Sequence, residues 1–207
     1  MTTIVNPSLG AVSLNTGSTY VQSSSPTWSY ICALGDSLSN ATYDAALQTL
    51  LGSAYTVVEK GIGSDTVVQM LARLDADVTS TPADCVIVWG GVNDVAGGAD
   101  ATTIEGNLQS IYDACHTDGL LVVAITNTPY KGSATWTAEK QVIFEAVNTW
   151  IGATATNVDY VVDMYALLED PAEPDTLLAA YDSGDHIHLS AAGYSLVAST
   201  LFGQVPF

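Results

Sequence analysis

The sequence predicts an α/β fold in which a parallel sheet of five strands is covered on both faces by helices. Three observations carry this. From residue 28 onward, short apolar runs alternate with longer stretches of helical periodicity. The runs are β-branched and near-continuous, which is how a strand buried on both faces reads. Five strand and helix units in succession call for right-handed crossovers between parallel strands. With 207 residues, 48% of them hydrophobic, the chain is long enough for one substantial core.

The strands are expected at "SYICAL" (29–34), "YTVVEK" (55–60), "DCVIVWG" (84–90), "LLVVAIT" (120–126) and "VDYVVD" (158–163). Helices are expected near 39–51, 65–79, 101–117, 136–155 and 190–202. In the second of these, Val67, Val68, Leu71 and Leu74 form an apolar stripe while Gln69, Arg73 and Asp77 fall elsewhere, as a helix lying on a sheet requires. Residues 1–27 differ in composition. They are rich in Ser and Thr, contain Pro7 and Pro26, and run into "QSSSPTW", which reads as a linker or arm. The expected division is therefore an arm at 1–27 and a single domain at 28–207, with a small hairpin around Asn15-Thr16-Gly17 inside the arm.

Charge excludes several partners. The 22 acidic residues face only four basic ones, Lys60, Arg73, Lys131 and Lys140, for a formal net charge of −18. Such a chain repels phosphate backbones and anionic lipid surfaces, so neither nucleic acid nor a stable membrane association is expected. It suits salty or extracellular surroundings, where self-repulsion is screened over about 8 Å or less. The start "MTTIVNPSLGAVSL" has no long apolar core, and no Lys or Arg precedes Lys60; it is not expected to act as a secretory signal. No uninterrupted apolar run has transmembrane length. Cys32, Cys85 and Cys115 are odd in number, and the first two lie in apolar runs, so buried thiols are expected and no disulfide framework.

In open α/β sheets, ligands bind beyond the carboxyl ends of the strands, where the winding direction reverses. Here the first strand is followed by Gly35-Asp36-Ser37, the second by "KGIGSD" with Gly61 and Gly63, and the third by "GGVNDV" with Gly91, Asn93 and Asp94. In a strand order 2-1-3-4-5 these three ends share one rim. A hydroxyl, a glycine turn and a side-chain amide then meet. The last loop, "YDSGDHIHLSAAGY", adds Asp185, His186 and His188. Serine is a weak nucleophile without a base, and a carboxylate three residues before an imidazole can orient it and stabilise the imidazolium. The negative oxygen formed on attack needs donors already aimed at it, and the N–H groups of Ser37 and Gly63 and the Asn93 amide are candidates.

Each residue also has a plainer reading. Asp36 and Ser37 suit a helix N-cap, Gly63 a turn with positive φ, and Asn93 a turn side chain bonded to its own backbone. His186 and His188 form a candidate metal pair, but zinc normally takes a third protein ligand; His116 belongs to a helix elsewhere, and no HExxH or paired CxxC occurs. No metal and no other cofactor is expected. Trp89, inside a strand, reads as core, and Trp136 as a candidate pocket wall. No GxSxG elbow surrounds any serine, the GxG at 61–63 lacks its third glycine, and there is no GxxxxGK[ST], which removes the other common catalytic and nucleotide-binding templates.

Taken in order, "GDSLS" (35–39), Gly63 in "GIGSDT", "GVND" (91–94) and "DHIH" (185–188) resemble the four blocks of the SGNH, or GDSL, hydrolases, over roughly residues 29–202. The resemblance implies a flavodoxin-like, three-layer α/β/α fold with sheet order 2-1-3-4-5. It also implies hydrolysis of carboxylic esters through a serine acyl-enzyme, without metal. It assigns Ser37 as nucleophile, His188 as base, Asp185 as its orienting acid, and Ser37, Gly63 and Asn93 as oxyanion donors. No long insertion interrupts the blocks to serve as a lipase lid, so a small-molecule or saccharide ester with a short acyl or acetyl group is the expected substrate. The alternatives are thioesterase or lysophospholipase action on longer acyl chains, and a non-catalytic carbohydrate-binding module built on a hydrolase fold.

Overall fold

The structure, a computed structural model, describes residues 28–40 and 42–207. The expected arm and its hairpin lie outside the described residues. Trp28 is described, and it packs partly buried against the core.

Five strands form one parallel sheet: β1 (Tyr30–Gly35), β2 (Thr56–Gly61), β3 (Cys85–Trp89), β4 (Leu121–Ile125) and β5 (Tyr160–Val162). Their order is β2-β1-β3-β4-β5, as expected. Continuous apolar sequence translates into full burial only in the middle of the sheet. β3 and β4 are buried along their whole length, whereas the edge strands β2 and β5 are largely half-buried. Each central Val, Leu or Ile side chain so buried stabilises the fold by roughly 1.5–3 kcal/mol.

Helices α1 (Asp44–Leu51) and α7 (Ala191–Gln204) pack on each other as one layer. On the other side, α2 (Val67–Ala72), α4 (Ala101–Thr117) and α5 (Ala138–Ala153) pack in series, with α3 (Val92–Gly97) against α5. A short α6 (Met164–Leu168) follows β5. The result is the three-layer α/β/α arrangement. Trp89 is fully buried against Tyr43, with ring centroids 5.8 Å apart, and all three cysteines are buried free thiols. Among the described residues no helix is long and apolar enough to cross a membrane.

The helix expected over 65–79 departs most from expectation. α2 stops at Ala72, and Asp75–Thr79 form a π-helical turn. The buried stripe is Val67, Met70, Leu74 and Val78, while Val68 is 52% exposed; spacings of three, seven and eleven keep one face inward, and Val68 falls off it. The break coincides with Arg73. Its guanidinium donates to the carbonyls of Gly35 (2.7 Å) and Lys60 (2.8 Å) and to the carboxylates of Asp65 (2.7 Å) and Asp77 (2.7 Å). One side chain thus ties the carboxyl ends of β1 and β2 to the segment that follows β2, using the fixed fork of donors that only arginine offers.

Candidate active site

Sheet register sets the stage. Gly35 pairs with Gly61 of β2 on one side and with Trp89 of β3 on the other. The loops carrying Ser37, Gly63 and Asn93 therefore leave the sheet at one level. Between β1 and β3 the winding reverses, which is where an open sheet leaves a crevice.

Ser37 opens a three-residue 3₁₀ turn, Ser37–Ser39, and the capping residue is Asp36, whose Oδ1 accepts the Leu38 N–H at 2.8 Å. The plainer reading of Ser37 as an N-cap is thereby corrected: the cap falls one residue earlier. Ser37 Oγ instead lies 2.8 Å from His188 Nε2. The other ring nitrogen, Nδ1, is 2.6 Å from Asp185 Oδ2. Asp185 Oδ1 accepts the backbone N–H groups of His188 (2.8 Å) and Ile187 (3.0 Å), a tight turn that explains how a spacing of three brings acid and imidazole together. Burial pushes the Asp185 carboxyl up, but the bonds from the His188 ring and from these two N–H groups outweigh it and hold the pKa at about 2. A carboxylate at Asp185 fixes the proton on Nδ1 and leaves the Nε2 lone pair facing the serine hydroxyl.

The two glycines after β2 do different things. A Cβ on Gly61 would lie 2.4 Å from the carbonyl carbon of Ser39 and 2.5 Å from the nitrogen of Asn40, so Gly61 lets β2 approach the backbone of the serine turn. Gly63 is exposed, and a Cβ there would meet no described atom within 4 Å. Its φ is not left-handed; that conformation belongs to the next residue, Ser64, at 69°. Gly61→Ala is therefore expected to lower both the melting temperature and kcat, by overpacking of about 1–3 kcal/mol, whereas Gly63→Ala is expected to leave the melting temperature near wild type. Thermal melts of the two variants check this.

Asn93 sits in the first turn of α3 rather than in an irregular turn. Its Nδ2 donates to the Asp65 carbonyl at 2.9 Å and to Asp36 Oδ2 at 3.2 Å. Next to it, Asp94 Oδ2 accepts the N–H of Val67 at 2.9 Å, which locks the start of α2 to α3. Ser37, Gly63, Asn93, Asp185 and His188 are all at the carboxyl edge of the sheet.

The model of the GDSL-like lipase/acylhydrolase family matches residues 29–196. The chain belongs to this family. It is a carboxylic ester hydrolase. Among solved structures, a lipolytic protein of the G-D-S-L family from Desulfitobacterium hafniense has a TM-score of 0.71 at 22% identity, covering 83% of this chain and 97% of that one. The acetyl xylan esterase AlAXEase has a TM-score of 0.69 at 22% identity, with 84% and 98% covered, and TesA 0.67 at 23%, with 84% and 96% covered. A search of curated proteins gave no match.

The remaining residues singled out in this acylhydrolase fall outside that constellation. His186 has a left-handed φ of 63°, and its ring packs on Gly132 of the segment after β4. Its Nδ1 is 2.9 Å from Asp182 Oδ2 but out of line for a hydrogen bond. Both ring nitrogens of His188 are already engaged, so His186 and His188 do not converge as a ligand pair. His116 is exposed in the last turn of α4. Trp136, expected as a pocket wall, is tied by its Nε1 to Gln141 Oε1 of α5 at 3.0 Å. A separate cleft of about 670 Å³ lies between α5 and the β5 edge, lined by Glu145, Asn148, Asp163 and Tyr165 among others, and contains none of the five residues above.

Two residues at this rim go beyond what local pattern shows. Arg73 falls off the apolar stripe of its helix, yet a single arginine in a chain with four basic residues, with Asp77 one turn on, carries the signal of a placed charge. Asp36 shows in the sequence as a cap candidate and a motif residue, but its contact with Asn93 joins residues too far apart in sequence for local pattern to show.

Proposed function

We propose that this acylhydrolase cleaves short acyl esters, acetyl esters of saccharides among them, through an acyl-enzyme on Ser37. The observation that carries the reading is the continuous chain Ser37 Oγ, His188 Nε2, His188 Nδ1, Asp185 Oδ2, at 2.8 and 2.6 Å. In the first half-reaction Ser37 Oγ bonds to the ester carbonyl carbon while its proton passes to His188 Nε2, and Asp185 stabilises the imidazolium. The N–H groups of Ser37 and Gly63 and the Asn93 amide donate to the oxyanion. Collapse breaks the bond to the alcohol oxygen, which leaves with the proton from His188. Water then repeats the sequence on the acyl-enzyme, releasing the carboxylic acid and restoring the serine.

The open surroundings of Gly63, where a Cβ would meet no described atom within 4 Å, leave room for a bulky saccharide beside the ester. The same fold serves an acetyl xylan esterase. A second reading, longer acyl chains, rests on Ile62 and Val68, which are 47% and 52% exposed and flank the Gly63 segment; they offer an apolar rim to a chain leaving the site. The test is a series of p-nitrophenyl esters from acetate to laurate, together with acetylated xylan. Highest kcat/KM on acetate, with release of acetate from xylan, supports the first reading; a maximum at laurate moves the function to the second.

A further inference from the structure

Asp36 is fully buried and is not a member of the Ser37, His188 and Asp185 chain. It nevertheless bridges two segments that flank the nucleophile. Oδ1 takes the Leu38 N–H at 2.8 Å, and Oδ2 takes Asn93 Nδ2 at 3.2 Å. We propose that Asp36 is a positioning residue that keeps the nitrogen end of the Asn93 amide turned toward the oxyanion site beside Ser37. The inference rests on the reading of Asn93 as an oxyanion donor.

A side-chain amide has a donor end and an acceptor end of nearly equal size, so only its neighbours decide which end faces the substrate. Asn93 Nδ2 carries two hydrogens, and without substrate they go to the Asp65 carbonyl at 2.9 Å and to Asp36 Oδ2 at 3.2 Å; the longer of the two bonds is the one that comes to be shared with the oxyanion as its charge develops. If the amide turned over, Oδ1 would meet both acceptors with no hydrogen between them and would offer the developing oxyanion an acceptor in place of a donor. Of the two acceptors the ionised carboxylate is the stronger. Protonation removes its preference, because a carboxylic acid can donate to Oδ1 and so accept the inverted amide.

That change falls near neutral pH. Burial pushes the Asp36 carboxyl up to about 7, against the pull of the Leu38 N–H and of His188, and Asp94 and Asp65 add to the rise. The titratable groups facing it are thus His188 from the loop before α7, Asp94 on α3 and Asp65 after β2, with Tyr43 before α1 and Tyr194 on α7 also feeling its charge. The sign for stability follows. The folded state binds this proton more tightly than the unfolded chain, whose carboxyl titrates near 3.8, so stability falls as pH rises from that value through about 7. Asp36→Asn removes the buried charge and is expected to raise the melting temperature at about pH 8.

The experiment is a double-mutant cycle of Asp36→Asn and Asn93→Ala in the full chain, with kcat, KM and melting temperature followed against pH. Asparagine keeps an oxygen to cap Leu38 N–H, so a capping role alone predicts an unchanged kcat. The expected result is a loss of about 10-fold or more in kcat with KM within about 2-fold. The loss disappears on the Asn93→Ala background, and the acid limb of kcat relaxes from a two-proton to a one-proton fall. Asp36→Ser, which also keeps a capping oxygen, is expected to give the same pattern and guards against a fault specific to asparagine. Wild-type kcat in Asp36→Asn, or an equal loss on both backgrounds, overturns the proposal while leaving Asn93 in place. Wild-type kcat in Asn93→Ala overturns the oxyanion reading, and this inference with it.

Discussion

Ser37→Ala is expected to lower kcat on p-nitrophenyl acetate by about 10⁶, the scale at which a serine and its base act as one unit, with KM and melting temperature near wild type. The hydroxyl removed is half-exposed at the mouth of the crevice, and its hydrogen bond to His188 Nε2 at 2.8 Å is all that the fold loses. His188→Ala is expected to cost about as much, and the double variant no more than either single one, because each change already disables the same proton transfer. A serine-directed phosphonate labels the wild type at residue 37 and leaves Ser37→Ala unmodified. Turnover retained in Ser37→Ala, or label found at another serine, removes Ser37 as nucleophile. Asp185→Asn is a graded companion. The imidazole would then be free to carry its proton on the wrong nitrogen, at a cost of about 10⁴ in kcat. With its pKa at about 2, Asp185 stays ionised at any pH at which His188 can serve as base, so the acid limb of the wild-type profile is not expected to report it.

The sheet and the four blocks were legible for a physical reason. A strand buried on both faces has to be apolar throughout, and a strand end that carries chemistry has to depart from that abruptly, so the end of β1 at Gly35-Asp36-Ser37 is visible as a discontinuity. The elements not foreseen are those that leave no period to read. α3 and α6 span six and five residues, fewer than two turns, and are fixed by contacts such as the bond from the Val67 N–H to Asp94 rather than by a stripe of their own. The helix over 65–79 was misjudged because its third turn answers to Arg73, whose partners Gly35, Lys60 and Asp65 lie on other segments. The same limit hid Asp36. Its bond from the Leu38 N–H is readable as a local cap, but Asn93 is 57 residues away, and only the register of β1 against β3 brings them together.

Asn93→Ala is expected to lower kcat by about 10²–10³ with a smaller change in KM, since a donor aimed at the oxyanion strengthens its bond only as charge develops. Truncation also frees Asp65 O and Asp36 Oδ2 of their shared donor, so a modest fall in melting temperature accompanies it. Asn93→Asp is the sharper test. In a turn, aspartate replaces asparagine with little change, because it makes the same acceptor bonds to nearby backbone. In α3 the position is different: a carboxylate there would face the Asp65 carbonyl and Asp36 Oδ2, now 2.9 and 3.2 Å from a donor, with buried Asp94 next in sequence. Such an arrangement repels both its neighbours and the oxyanion. Asn93→Asp is therefore expected to be at least as inactive as the alanine variant and less stable at about pH 8, regaining melting temperature on acidification as one carboxylate of the cluster takes a proton. Melts and initial rates of both variants across pH separate the roles. If Asn93→Asp is active and as stable as wild type, Asn93 only shapes the chain, and the oxyanion site loses the donor that α3 supplies.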